Sequence, residues 1–323
     1  WLSGNITEAP LLNATPLPHR LMPIKTNPPL VLWRFTDGKP GHEKQTLGLC
    51  QALARETSTT LHAIPVRRGW KNLAYWLGGH CPYGKGLPPP DLLVGAGHAT
   101  HLTMLAARRR HGGRIVVLMR PSLPLDLFDL CLIPEHDAPP VRGNVVPTQG
   151  ALNNVRPAEG HDPRRALILI GGPSPHFRWD SEAIARQVGE LVQSRPGLHW
   201  TLTTSRRTPA GFLKDLDRDD IECLAAENTP AGWLEAELAR AGEAWVTPDS
   251  VSMVYEALTA GCRVGLFDLP EMADSRVARS ILALTSKGTV VGFPPPPAYD
   301  SPSPTPLNEA GRCARLILEK WFS

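Results

Sequence analysis

The stretch AWVTPDSVSMVYEALTAG, residues 244–261, sets the architecture. Residues 244–247 read as a buried strand, Thr247-Pro248-Asp249-Ser250 as a turn, and 250–260 as a helix closed by Gly261. A further apolar run at 263–267 reads as the next strand. Strand, helix and strand in so short a span form the unit of a parallel sheet, whose neighbours need a crossover that a helix supplies.

The same rhythm recurs on both sides. A strand at 166–170, a helix at 180–194 and a strand at 199–204 precede the stretch. Nearer the start come strands at 30–35, 61–66, 92–94, 115–119 and 127–133, with helices at 42–56 and 99–110. The predicted class is α/β, with two doubly wound parallel-sheet domains facing a cleft. Length agrees, because 323 residues exceed the roughly 250–300 at which one core stops growing. The boundary falls where residues 154–164 carry no apolar pattern. The expected division is a Pro-rich extended leader at 1–28, a first domain at 29–155, a second at 164–293, and a segment at 294–323. That last segment reads as a Pro-rich connector and a helix packing back on the first domain.

Apolar residues at 42% and charged residues at 20% exclude a disordered or fibrous chain. A net charge of +3, with basic residues in short runs such as Arg108-Arg109-Arg110, gives no reason to expect nucleic acid. No run of about 18 apolar residues is present, and the start lacks a secretory signal's build, so a cytoplasmic location is expected. The stretch 66–77 reads as an amphipathic helix packed on the first sheet or lying at a bilayer surface. The six cysteines are scattered without a CxxC pair and read as buried free thiols.

Ligands of doubly wound sheets bind beyond the carboxyl ends of the strands. After the first strand, Asp37-Gly38-Lys39-Pro40-Gly41-His42 leads into a helix and outlines an anion pocket, though neither a P-loop nor a GxGxxG turn. His42 fits a general base, with Asp37 as the acidic alternative and a simple helix-start histidine as the bland one. Gly97 and His98 open the next helix. His98 and His101 lack a third metal ligand at motif spacing, so no metal is expected. Glu135 and His136 follow the strand at 127–133 and either orient a hydroxyl or cap the next segment. With Gly38, Lys39, Gly41, Gly97 and His98, they form the candidate acceptor side.

In the second half, Gly171, Gly172 and Ser174 follow a strand at the place where phosphates meet bare amides. Ser205, Arg206, Arg207 and Thr208 place hydroxyls and two guanidiniums at another strand end, either to bind phosphate or as a solvated basic loop. Asp249 or Ser250 starts the 250–260 helix, whose first amides, near Ser252 and Met253, are free to meet phosphate. Glu256 lies under two turns further on, at the distance of a ribose diol.

Seven motifs together resemble one family: DGKPGHEKQTLGL (37–49), PDLLVGAG (90–97), FDLCLIPEHD (128–137), NVVPTQGALN (144–153), LILIGG (167–172), TTSRRTP (203–209) and VTPDSVSMVYEA (246–257). It is the elongated-mitochondria family of plant mitochondrial-fission proteins and bacterial homologues. Residues 228–233, NTPAGW, depart from the Asn-Pro-Tyr stretch of that pattern. A more distant resemblance is to GT-B glycosyltransferases, especially the lipid-linked N-acetylglucosaminyltransferase of peptidoglycan synthesis. It rests on Gly41-His42 and on the spacing of Ser250, Glu256 and Gly261. That resemblance implies Rossmann-like domains, a ribose role for Glu256, a nucleotide-sugar as substrate with no cofactor, and no catalytic metal.

The expectation is therefore an inverting glycosyltransferase acting on a lipid-linked or envelope acceptor, peripheral on the inner face of the membrane. The alternatives are a non-catalytic scaffold that recruits protein partners, as the fission relatives imply, and a nucleotide-sugar epimerase.

Overall fold

A computed structural model describes residues 28–66, 69, 71–216, 218–273, 275–296 and 305–323. The leader expected at 1–28 lies, save Pro28, outside the described residues, as do residues 297–304 of the connector.

The first unit runs β1 (Leu30–Thr36), α1 (Pro40–Glu56), β2 (Thr59–Pro65), α2 (Lys71–Gly78), β3 (Leu92–Ala96), α3 (His98–His111), β4 (Arg114–Leu118), β5 (Leu130–Pro134) and β6 (Val145–Thr148). Its strands are all parallel in the order β2-β1-β3-β4-β5-β6. Alternation along β1 explains its central place. Leu30 and Leu32 bury one face against Leu49 and Leu53 of α1, while Trp33 and Phe35 bury the other against Met104 and Leu105 of α3.

The second unit runs β7 (Asp162–Leu169), α4 (Ser181–Ser194), β8 (His199–Thr203), α5 (Phe212–Leu216), β9 (Ile221–Leu224), α6 (Trp233–Leu238), β10 (Ala241–Val246), α7 (Val251–Ala260), β11 (Arg263–Leu266), α8 (Arg276–Ser286) and β12 (Val291–Gly292). These strands are also all parallel, ordered β12-β11-β10-β7-β8-β9. The order reverses between β10 and β7, so a crevice opens beyond Val246 and Leu169. Leu167 and Leu169 pack toward α7, and Ile168 and Ile170 toward Ile184 and Val188 of α4.

The last helix, α9 (Glu309–Trp321), returns to the first unit. Ala310, Cys313, Ala314 and Ile317 join the core formed by β1 and α1. Pro163, read as a breaker at the boundary, instead lies within β7, where a register shift against β10 absorbs it. Strands β6 and β9 were not read, being four residues each and, in β6, interrupted by Pro147. Five of the six cysteines are buried free thiols, and Cys223 is exposed. In α2, Tyr75 and Trp76 pack on the first core while Leu73 and Leu77 stay exposed. Among the described residues, no helix is long and apolar enough to cross a membrane.

Candidate functional site

On the first unit, the turn after β1 brings Asp37 onto His42, with Oδ2 and Nδ1 2.9 Å apart. Burial works to raise the Asp37 carboxyl. The hydrogen bonds from His42 and the Lys39 amide, with the charges of both residues, outweigh burial and hold it below the ordinary carboxylate range. A carboxylate on Nδ1 fixes the ring and leaves Nε2 as the nitrogen for an incoming hydroxyl. Gly97 (φ 79°) is needed here, since a Cβ would run into the His42 ring.

The anion pocket read at this loop is partly closed by the chain itself. Gly38 N–H donates to Glu43 Oε1 at 3.1 Å, and Lys39 N–H to Asp37 Oδ1 at 3.2 Å. Gly41 lies in the first turn of α1, with open space beside it, and the Lys39 side chain is exposed. His98 is exposed at the start of α3, whereas His101 is 2% exposed and shares a 3.4 Å contact with Ser122 Oγ. The two histidines therefore do not share a site. Burial, then the neighbouring His98 and His42 charges, lowers His101 to about 4. Among the described residues, no three His, Cys, Asp or Glu side chains are grouped to hold a metal ion.

On the second unit, the residues read as phosphate ligands are brought together, yet largely satisfy one another. Gly171 N–H donates to Thr247 Oγ1 at 2.7 Å and Gly172 N–H to Asp249 Oδ2 at 2.9 Å, so these amides are not bare. Both glycines make room for the chain rather than for a ligand. A Cβ on Gly171 would strike the Asp249 carboxylate, and one on Gly172 the Arg207 carbonyl. Arg207 is likewise committed, to Asp249 Oδ2 at 2.8 Å and to the Gly172 and Pro173 carbonyls at 2.9 Å each. Arg206 turns the other way and lines a separate cavity of about 380 Å3 with Lys214 and Phe212. Ser205 and Thr208 hydroxyls bond the Gly171 carbonyl and brace the turn. Ser174 Oγ accepts from the His176 and Phe177 amides.

What stays open is the start of α7. Ser250 occupies its cap position without a side-chain cap, and Asp249 bonds backward rather than capping. A cavity of about 320 Å3 lies at that end, lined by Ser174, His176, Arg207, Asp249, Ser250 and Ser252. Met253, by contrast, packs onto the core of the second unit. Asp249 Oδ1 is buried with no hydrogen-bond partner among the described residues.

Glu256 is not presented to this cavity. It is 1% exposed, and its Oε1 meets Lys44 Nζ of α1 at 2.9 Å, across the two units. Burial raises its pKa, with Lys44 opposing the shift. The 149–155 segment completes the joint. Asn153 Nδ2 donates to the Tyr255 carbonyl and to Thr259 Oγ1, and Gln149 N–H donates to Glu309 of α9. Glu135 and His136 form a short turn after β5, with Glu135 exposed and His136 mostly buried. Burial lowers His136; adjacent Asp137 opposes this, while His176 of the second unit lowers it further. The carboxyl ends of the two sheets therefore meet.

Sequence reading missed Lys44 and the end of β4. There Met119 takes φ 69°, and Arg120 Nη1 donates to the Asp137 and Ala138 carbonyls at 3.1 and 3.4 Å. A lysine in the first turns of a helix carries no local sign of a partner 212 residues away.

Two Rossmann-like α/β units of six parallel strands each, with their carboxyl ends together, form a GT-B-like architecture. The chain belongs to the family described as mitochondrial fission ELM1, whose profile matches residues 40–321. It is 23% identical over 289 residues to the uncharacterized protein RP120 of Rickettsia prowazekii (strain Madrid E), covering 71% of this chain and 79% of that one. Among solved structures it is similar to UDP-GlcNAc 2-epimerase from Neisseria meningitidis bound to UDP-GlcNAc (12% identity, 90% of this chain and 98% of that one, TM-score 0.47). It is also similar to MurG of Acinetobacter baumannii (13% identity, 90% and 91%, TM-score 0.46).

Proposed function

We propose that the protein is an inverting GT-B glycosyltransferase. Residues 29–155 form its acceptor domain, and residues 164–293 hold a nucleoside-diphosphate sugar. The observation carrying this reading is the Lys44–Glu256 contact. Lys44 and His42 share α1, so the contact ties the helix that carries the Asp37–His42 pair to the donor-side helix α7. His42 Nε2 takes the proton of an acceptor hydroxyl, whose oxygen attacks the anomeric carbon while the bond to the diphosphate breaks. The leaving diphosphate carries the charge into the cavity at the start of α7, where amides without a side-chain cap and the Ser250 and Ser252 hydroxyls receive it. Asp37 orients His42 rather than acting as a competing base.

The acceptor in this reading is lipid-linked. The exposed Leu73 and Leu77 of α2, with Lys71 at its start, give the acceptor domain a surface suited to the cytoplasmic face of a membrane. An epimerase would share the donor side and also needs a proton carrier; it differs in taking no second substrate, so dependence of sugar release on an acceptor separates the two readings.

The test is calorimetry and thermal shift with UDP, GDP, ADP, CMP and their sugars, beside Glu256→Ala. Binding of one nucleotide that the variant loses supports the donor site. A second reading has its own observation: the Gly171 and Gly172 amides, Arg207 and Glu256 are all satisfied internally, as in a scaffold that recruits partners without a ligand. Silence from the whole panel with a well-folded sample selects that reading.

A further inference from the structure

Glu256 carries a burial problem that its own domain does not solve. A carboxylate 1% exposed is costly to keep ionised, and the other charged group facing it from the second unit is Glu235 of α6, which disfavours ionisation. The cation that offsets this comes from the opposite domain. Lys44 Nζ lies 2.9 Å from Oε1, and the lysine side chain is itself 41% exposed, so its end can swing into water while its stem stays on α1. Glu235 is not free to take the role of partner, because it carries the sign of Glu256 and accepts from Asn154 Nδ2 at 3.2 Å.

We propose that Lys44, on the acceptor domain, is a positioning residue of the donor site: it holds the Glu256 carboxylate ionised and yields its place to a ribose diol as the nucleotide enters. This rests on the donor reading above. It makes nucleotide recognition a property of both domains, since the acceptor-side helix prepares the carboxylate that the donor-side helix presents. The exchange is a replacement of hydrogen bonds and breaks no covalent bond. An ammonium donor on Oε1 gives way to two ribose hydroxyls, both of which need an ionised acceptor to bond well.

The experiment compares UDP, GDP, ADP and CDP with their 2′-deoxy forms by calorimetry between pH 5.5 and 8.5, using the full chain. Discrimination between the ribo and deoxy forms cancels the ligand's own phosphate titration. The wild-type protein is expected to prefer the ribo form roughly tenfold wherever Glu256 is ionised, a hydrogen bond to a charged group. In Lys44→Met the preference should be lost at a higher pH than in the wild type, because Glu256 must then ionise unaided. Lys44→Arg should restore the wild-type profile, and Glu256→Gln should show weak preference at every pH. A merely structural Lys44 would lower affinity for both forms equally and leave the ratio flat, which overturns the proposal. Wild-type protein that binds none of the four nucleotides overturns the donor reading and this inference with it. Wild-type binding with an unchanged ratio in Lys44→Met overturns this inference alone. If Lys44→Met fails to fold, the ratio in Glu256→Gln decides, since an undiminished preference there removes the carboxylate from recognition.

Discussion

Replacing Asp249 separates the two jobs its carboxylate performs. In Asp249→Ala the Gly172 N–H loses its acceptor inside a buried turn, which costs about 1–3 kcal/mol. The ion pair to Arg207 goes too, but that guanidinium is 42% exposed and screened by water, so its loss adds less than about 1 kcal/mol. Asp249→Asn keeps an oxygen for the amide and gives up only the charge, at about 1 kcal/mol. For a unit the size of the second domain, each kcal/mol moves Tm by about 3–5 °C, so the expected losses are about 3–20 °C for Asp249→Ala and about 3–5 °C for Asp249→Asn. Scanning calorimetry is the assay, because it resolves the two units if they melt apart. Anion binding should move the other way. The Asn variant weakens the hold on Arg207 Nη2, with Nη1 staying on the Gly172 and Pro173 carbonyls, and removes a negative charge beside the start of α7, so pyrophosphate should bind roughly threefold to tenfold more tightly. Equal Tm values for the two variants would show that the Gly172 amide does not depend on Asp249. Weaker pyrophosphate binding in Asp249→Asn would show that the carboxylate supports the ligand directly, and either result refutes the reasoning.

Asp37 has a depressed pKa in the fold, so the stability it contributes is present above the unfolded value near 4 and lost as pH falls through the folded one. The Tm gap between wild type and Asp37→Asn should therefore be open at pH 7 and close in strong acid; a gap constant with pH counts against the His42 pairing. His101 shifts stability in the same direction at higher pH, held neutral down to about 4 while the unfolded chain protonates near 6.5. The native state should lose about 3 kcal/mol between pH 6.5 and 4, and His101→Phe, beside Phe128, should escape that loss in a pH series of melts. Ile317→Ala, at a fully buried site on α9, should cost about 2–5 kcal/mol and expose the 305–323 segment to protease. A Tm within one degree of wild type would show that α9 is not part of the first core.

The legible parts of the fold are those in which one element's own pattern carries the signal. Leu30, Leu32, Trp33 and Phe35 alternate between two buried faces, which requires helices on both sides of the first sheet. The turn Thr247-Pro248-Asp249-Ser250 and the left-handed Gly261 mark both ends of α7 within the sequence. Short elements escape this reading, because β9 offers four residues and β6 carries a proline that only an edge strand tolerates.

The site was legible as a place and not as a set of contacts. Position at a strand's carboxyl end follows from topology, so Asp37 and His42 lie at the carboxyl end of the first sheet and Gly171, Arg207 and Asp249 at that of the second. Partner choice does not follow. A glycine shows that room is needed without showing for what, and at Gly171 and Gly172 the room is taken by Asp249 and Arg207. Arg206 and Arg207 are equivalent as letters, yet adjacent residues of a turn point apart, so one clamps the α7 side and the other lines a different cavity. Glu256 shows the limit most clearly, because the cation paired with it is on another domain. The same fact gives the joint its meaning. A buried carboxylate that meets a lysine from the opposite domain ties α7 to α1 across the two units, and that lysine travels on the helix that carries His42.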